Sequence, residues 1–255
     1  MHAYYSALPF TPHNTCLYCL YEKETSHSIT VLQGLSPTWT SCLSSWSGDG
    51  FGTNTLNISP DGTWLAVSQG TQLMILDART TATQCQISLT NEAAHLAFSP
   101  SESTLATVTF KSLELWNTIT GIKQKAQKLS GTRFYAVAFS LQGQYLLLSI
   151  NQGLHLHHGT DGNELSVLPT NWSHKKIIFA SNGKQVITGS EEGYIHFFTL
   201  SSKWLSEIQE RRIFNETEVW DLVLRHDGKR LASSGADGTI RVYDLNSVPI
   251  AYCHS

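Results

Sequence analysis

The feature that most constrains this chain is a pattern that occurs five times at nearly constant spacing. Each copy is an apolar segment ending in a small or polar residue, then a turn, then a second apolar segment, as in residues 56–66 (LNISPDGTWLA) and 137–147 (VAFSLQGQYLL). The residues that end the first segments lie 40, 41, 40 and 45 residues apart and are Ser59, Ser99, Ser140, Ala180 and Arg225. This period indicates a repeat architecture, in which supersecondary units stack side by side.

Each unit contains signals for four short strands. Pro-Asp-Gly at 60–62 and Asn-Gly at 182–183 supply the fixed or positive φ of tight β-turns. Gly70, Gly153, Gly193 and Gly238 mark a second turn, and a weaker fourth segment follows, as at 84–89. The pattern predicts an all-β propeller with about five four-stranded blades over 48–255, with repeats at about 48–90, 91–130, 131–170, 171–213 and 214–255. Residues 1–47 form a separate linker-like segment with a short helix beginning near Thr11.

The last unit carries a family resemblance. Residues 231–244 (LASSGADGTIRVYD) resemble a WD repeat, with Tyr243-Asp244 in the Trp-Asp place, and Trp116-Asn117 is a looser version. The resemblance implies a WD-repeat β-propeller that binds other proteins. It also implies a buried hydrogen-bonded chain of His, Ser/Thr, Asp and Trp in each blade, which these units lack in part. Asp237 fills the Asp place, and Phe214-Asn215 stands where Gly-His is usual. We therefore expect the blades to depend on apolar packing.

The amino-terminal segment carries a second resemblance. Residues 7–13 (ALPFTPH) and 26–34 (SHSITVLQG) are similar to the segment that joins the nucleotide-binding domain to the propeller in fungal NACHT–WD-repeat receptors of the STAND class. In such receptors the propeller resembles a sensor and the upstream domain a switch. No Gly-x4-Gly-Lys-Ser/Thr loop occurs in this chain, so we expect no ATP or GTP binding.

Two groups of side chains have partial metal-ligand spacing. Strand alternation places His155 and His157 on one face, and His174 would be a third ligand if it approached them. The simpler interpretation is that His157 occupies the Trp place of its blade. Cys16 and Cys19 have the spacing of half a zinc site, without a second pair. Each group falls short of a complete site, so we expect no metal.

Composition argues against several other functions. Lys and Arg total 17 against 20 Asp and Glu, giving a net charge of −3, and no basic run follows a phosphate backbone. We therefore expect no nucleic-acid partner. No apolar stretch approaches the ~20 residues that span a bilayer, and the five scattered cysteines form no disulfide framework, so we expect a cytoplasmic protein without membrane contact. No nucleophile elbow or acid pair indicates catalysis, and no cofactor is expected.

A binding surface has better support. Partners of such propellers commonly meet the segments that enter the first strand of each blade, and the matched positions are Asn54, Ala94, Tyr135, Lys175 and Trp220. Aromatic rings beside a cation are typical of interaction hot spots. The alternative is that Tyr135 and Trp220 pack between blades.

These observations leave two main hypotheses. The first is a non-enzymatic protein-interaction or ligand-sensing module, like the sensor part of a STAND receptor. The second is a scaffold or adaptor in an unrelated complex for RNA processing, chromatin or ubiquitin ligation, and an enzyme is a distant third. Residues 41–47 and 249–253 both have the pattern of an outer strand for one blade. We therefore expect either an incompletely closed ring or self-association through the first and last blades.

Overall fold

The computed structural model describes residues 55–101, 103–129, 133–151, 153–201 and 204–246. Within these ranges the regular structure consists of β-strands, without a helix, arranged in five antiparallel sheets. The predicted amino-terminal helix and the candidate outer strands at 41–47 and 249–253 lie outside the described residues.

Each sheet contains strands that follow one another directly in the sequence. The first sheet contains β1 (Thr55–Ile58), β2 (Trp64–Gln69), β3 (Gln72–Asp77) and β4 (Thr83–Ser88). The second contains β5 (Ala93–Phe98), β6 (Thr104–Thr109), β7 (Ser112–Asn117) and β8 (Lys123–Lys128). The third contains β9 (Phe134–Phe139), β10 (Tyr145–Ile150), β11 (Gly153–His158) and β12 (Glu164–Pro169). The fourth contains β13 (His174–Phe179), β14 (Gln185–Ser190), β15 (Tyr194–Ser201) and β16 (Trp204–Phe214). The fifth contains β17 (Val219–Leu224), β18 (Arg230–Gly235) and β19 (Ile240–Asp244).

The five sheets are the blades of the predicted propeller. The first strand of each blade lies beside the first strand of the next, from β1 to β5, β9, β13 and β17. Every hydrogen-bonded sheet stays within one blade, so in the described residues no backbone pairing joins the first blade to the fifth. The fold class is therefore confirmed, and among the described strands hydrogen bonds do not close the ring.

Two of the five repeated turns have the same side-chain lock. Ser59 and Ser140 are buried at the end of their strands, and each hydroxyl accepts the backbone N–H five residues later, from Trp64 at 2.9 Å and Tyr145 at 3.0 Å. Three residues after each anchor the backbone turns with positive φ, 71° at Gly143, which favours glycine. The recurrent Ser-x-x-Gly spacing in the sequence is thus the signature of one repeated hairpin.

Each interior blade buries both of its faces. Leu146 and Leu148 of the third blade pack against Leu115 of the second, whereas Leu147 packs against Phe198 of the fourth. This explains the continuous apolar runs in the second strands, because a strand buried on both faces shows no polar alternation.

Several blades contain buried polar pairs that the sequence pattern did not predict, among them the second and the fifth. In the second blade Trp116 donates its Nε1–H to Thr107 Oγ1 at 3.1 Å. In the fifth blade the buried amide of Asn215 accepts hydrogen bonds from the hydroxyls of Ser233 and Tyr243, the latter at 2.7 Å. Asn215 therefore replaces the expected histidine, and the expectation that the blades depend on apolar packing was too simple for such blades.

Candidate functional site

A cavity of about 660 Å³ lies where the first strands of the five blades converge. It is open to solvent, and its walls combine aliphatic, aromatic and charged side chains. Its lining includes His95, Tyr135, Lys175, Lys176, Trp220 and Asp221. Because neighbouring first strands run side by side, each blade contributes residues of its first strand to the same space.

Three of the predicted binding residues line this one cavity. Tyr135, Lys175 and Trp220 come from β9, β13 and β17, which are the first strands of three successive blades. Asn54 lies outside the described residues, and Ala94 is absent from the lining, where its neighbour His95 takes its place. The repeat spacing alone therefore identified side chains that the fold brings together.

The exposure of Trp220 distinguishes a surface residue that could bind a partner from a residue that packs between blades. Its neighbours Val219 and Leu222 are buried against the fourth blade, whereas Trp220 is 58% exposed. The register of β17 shifts between Val219 and Asp221, which turns the indole outward. Trp220 is thus a surface side chain. Tyr135 is half-buried, and the Arg133 guanidinium lies 5.8 Å from its ring centroid, within cation–π range.

The cations of the cavity are paired with acids, mainly from the next blade. Lys175 Nζ contacts Glu218 Oε1 and lies 3.6 Å from Glu191 of its own blade, and Lys176 Nζ lies 2.7 Å from Asp221 Oδ1. The hydrogen bond that Lys175 donates to Glu218 raises the pKa of Lys175, and the nearby carboxylates add to this effect. The site therefore presents paired charges rather than a net positive surface.

His95 is a cavity residue that sequence reasoning missed. Its Nε2–H donates to the carbonyl oxygen of Phe134 at 3.3 Å, which links the second blade to the third. Burial lowers the pKa of His95, and the bond to Phe134 opposes that shift in part. The sequence contained a signal for this residue, because His95 directly follows Ala94, the position that the repeat spacing matched to the other cavity residues.

A second cluster lies in the third blade. Among the described residues, one group of three metal-ligand side chains has its ligand atoms within 4.8 Å of one another, and it consists of His155, His157 and Glu164. The third member suggested by the sequence was His174, and this was wrong. His174 lies in the fourth blade, where Thr188 Oγ1 is 2.8 Å from its Nδ1. The fold confirms that His157 occupies the Trp place, since it pairs with Leu146 as Trp116 pairs with Leu105.

Comparison with known proteins agrees with this geometry. Residues 209–244 match the family described as WD domain, G-beta repeat, a range that ends with the last strand of the fifth blade. The fold is that of a WD β-propeller. The propeller domain of Cps50 (Swd1) from Myceliophteria thermophila superposes with a TM-score of 0.66 at 14% sequence identity, over 79% of this chain and 69% of that one. At this identity the similarity concerns the fold alone. No curated protein matches the sequence. The described residues contain no helix that could cross a membrane.

Proposed function

We propose that this WD propeller is a non-enzymatic interaction module that captures a segment of a protein partner at the cavity between its first strands. The observation that carries the proposal is the convergence of Tyr135, Lys175 and Trp220 from three blades on one cavity, with the indole more than half exposed. Aromatic rings that offer a large apolar area and a polar edge are the usual anchors of protein interfaces.

The charges around the cavity favour a polypeptide over a nucleic acid. A phosphate backbone is bound by unpaired Lys and Arg, whereas Lys175 and Lys176 are engaged with Glu218 and Asp221. A peptide can use the same groups differently, because its amides donate to the carboxylates while an apolar side chain packs on Trp220. We expect this partner to be met in the cytoplasm.

Two finer roles fit such a module. One is the ligand-sensing part of a receptor similar to the fungal STAND class, and the other is a scaffold or adaptor subunit of an unrelated complex. The identity of the captured partner separates them, because a nucleotide-binding switch protein supports the first and a stable multisubunit assembly the second.

The test is capture from the native cell with variants of the cavity, followed by affinity measurement on the purified partner. We expect Trp220→Ala and Tyr135→Ala to weaken binding at least about tenfold, or about 1.4 kcal/mol, because each removes an aromatic anchor. The matched control is Ile122→Ala. Ile122 is 66% exposed, against 58% for Trp220, but it lies just before β8, at the end of its blade that is away from the start of β5. Equal binding by all three variants, or a large loss of thermal stability in the two cavity variants, would refute the assignment.

The fifth blade favours self-association as a second activity. Its face toward the fourth blade is packed, whereas Val223, Val242 and Ile240 on the other face are exposed, Ile240 by 77%. Val223 and Val242 each pair with Ala232 of the middle strand, so the three side chains form one row across the sheet. A contiguous exposed apolar face of this kind marks an association surface.

Light scattering at increasing protein concentration tests the second activity. We expect the mass to rise above that of one chain for the parent protein and to remain that of one chain for Val242→Lys, which places a charge in the centre of the face. The control is Val167→Lys, on an exposed position of the third blade. A parent protein that stays monomeric at high concentration would contradict self-association.

A further inference from the structure

The third blade contains a cluster of two histidines and one glutamate that its fold does not require. His155 and His157 lie on one face of β11, and Glu164 begins β12, where it pairs with His157. His155 Nδ1 is 3.0 Å from Glu164 Oε2, and one ligand atom from each residue lies within 4.8 Å of the others. The register of β11 and β12 shifts between Leu156 and His157, and this irregularity brings the carboxylate beside both rings.

The tautomer of His157 is fixed by its surroundings. Its Nδ1 lies 2.9 Å from the carbonyl oxygen of Gly162, and because a carbonyl can only accept, Nδ1 must carry the proton. Nε2 therefore holds a lone pair, and it is buried without a hydrogen-bond partner. A neutral histidine that donates one N–H to a backbone carbonyl and holds the other nitrogen deprotonated has the arrangement of a metal ligand.

The comparison with the second blade explains why this nitrogen lacks a partner. Trp116 in that blade pairs with Leu105 of the neighbouring strand. It donates its Nε1–H to Thr107, which lies two residues after Leu105 on the same strand. The matching position in the third blade is Leu148, which has no hydroxyl group. A buried polar atom without a partner destabilises the fold, and a ligand bound there would remove that cost.

The cluster opens toward solvent at one side. His157 is fully buried, His155 is partly exposed and the side chain of Glu164 is 41% exposed. An ion can therefore reach the two nitrogens past the glutamate, and a water molecule can complete its coordination. Three protein ligands and a water are typical of an open zinc site, and two imidazoles with one carboxylate are a ligand set that suits zinc.

We propose that His155, His157 and Glu164 form a Zn²⁺ site in the third blade of this propeller. Zinc takes the place of the proton between His155 Nδ1 and Glu164, and that proton moves to Nε2, so the imidazole stays neutral. Ligand distances of about 2.0–2.2 Å in a tetrahedron place the ligand atoms about 3.3–3.6 Å apart. His155 Nδ1 and Glu164 Oε2 are 3.0 Å apart, and all three ligand atoms lie within 4.8 Å of one another, which is close to this arrangement. The sequence suggested two ligands here, and the fold adds the third.

The test is titration of the purified full chain, first treated with a chelator, with zinc chloride, using calorimetry and elemental analysis. We expect one equivalent to bind at micromolar or lower concentration and to raise the melting temperature, because a preformed site binds zinc more tightly in the folded chain than in the unfolded chain. Ca²⁺ and Mg²⁺, which prefer oxygen ligands, should produce neither effect. Cobalt added in place of zinc should give the visible absorption of a tetrahedral site.

Three single variants give the test its specificity. His155→Gln and Glu164→Gln change partly exposed side chains. We expect His155→Gln to weaken zinc binding at least about 100-fold and Glu164→Gln at least about 10-fold, because even residues that only contact metal ligands contribute about 10–100-fold to metal affinity. His158→Gln is the matched control, because the adjacent His158 contacts Thr160 and Asp161 outside the cluster. A parent chain that binds no zinc at micromolar concentration would overturn the proposal. So would a His155→Gln chain that keeps its full equivalent, or a His158→Gln chain that loses it.

Discussion

Acidification from pH 7 to pH 5 should destabilise this propeller through a buried histidine in the fourth blade. His174 lies with Nδ1 2.8 Å from the Thr188 hydroxyl and Nε2 3.2 Å from the Thr170 hydroxyl. Its ring packs edge-on against His196 at 5.2 Å and Phe198 at 5.6 Å. No acid is among these contacts, so a charged imidazole would be poorly solvated. Burial, with a smaller contribution from His196, lowers the pKa of His174 from 6.5 to about 3.

The direction of the effect follows from which state binds the proton. Below pH 6.5 the unfolded chain protonates His174 while the folded chain does not, so the contribution to stability is complete above that pH and is lost as pH falls toward 3. One pKa unit corresponds to about 1.4 kcal/mol, and pH 5 lies 1.5 units below 6.5, so His174 alone should lower the free energy of unfolding by about 2 kcal/mol. Burial also lowers the pKa of His95 and His157, which adds to the loss.

Urea unfolding at pH 7 and pH 5 measures this difference. The informative variant is His174→Gln, whose amide can bond both threonine hydroxyls without titrating. We expect the parent to lose about 2 kcal/mol more than this variant between the two pH values. His226→Gln, in the exposed turn between β17 and β18, should behave like the parent. Equal pH dependence in the parent and His174→Gln would refute the reasoning, because the burial of His174 would then carry no cost on protonation.

Further substitutions test individual buried groups by urea unfolding at pH 7. Ser149 is fully buried with a hydroxyl that has no hydrogen-bond partner, so Ser149→Ala should stabilise the protein by about 1 kcal/mol, whereas Ser233→Ala removes a bonded hydroxyl and should destabilise it by a similar amount. If both serine variants change stability in the same direction, the hydrogen-bond argument fails. Lys123 Nζ lies 2.9 Å from the buried carboxylate of Glu114, so Lys123→Met should cost about 3 kcal/mol by leaving that charge unpaired. Adding Glu114→Leu should restore most of the loss, and a double variant as unstable as the single one would contradict this account.

The fold was predictable because its signals are local and repeated. The Ser-x-x-Gly hairpin needs only the anchor hydroxyl, the tight turn and two flanking strands, and Ser59 and Ser140 show the same lock in different blades. Repetition then fixed the register, since residues at equal offsets from each anchor take equivalent places. For the same reason the offset that selected Tyr135, Lys175 and Trp220 identified three side chains of one cavity.

The features that the sequence did not predict depend on contacts across strands. Glu164 reaches His155 and His157 only because the ladder between β11 and β12 is irregular, and no residue type announces that shift. Asn215 was identified at the histidine place, but its partnership with Ser233 and Tyr243 depends on side-chain geometry from two later strands. Strand register and side-chain direction across a bulge are set by tertiary packing, which a single sequence expresses weakly.

One departure from the WD pattern leaves a polar group available to bind a ligand. In the fifth blade Tyr243, Ser233 and Asn215 satisfy one another, so these polar groups serve the fold and are not available for a ligand. In the third blade Leu148 replaces the hydroxyl partner, and His157 occupies the Trp place with a nitrogen lone pair that the fold leaves unused. The third blade keeps its four-stranded sheet, because the apolar contacts with neighbouring blades hold it in place without that bond. A fold stabilised mainly by packing between repeats can therefore exchange a structural hydrogen bond for a binding group in one repeat while the others maintain the ring.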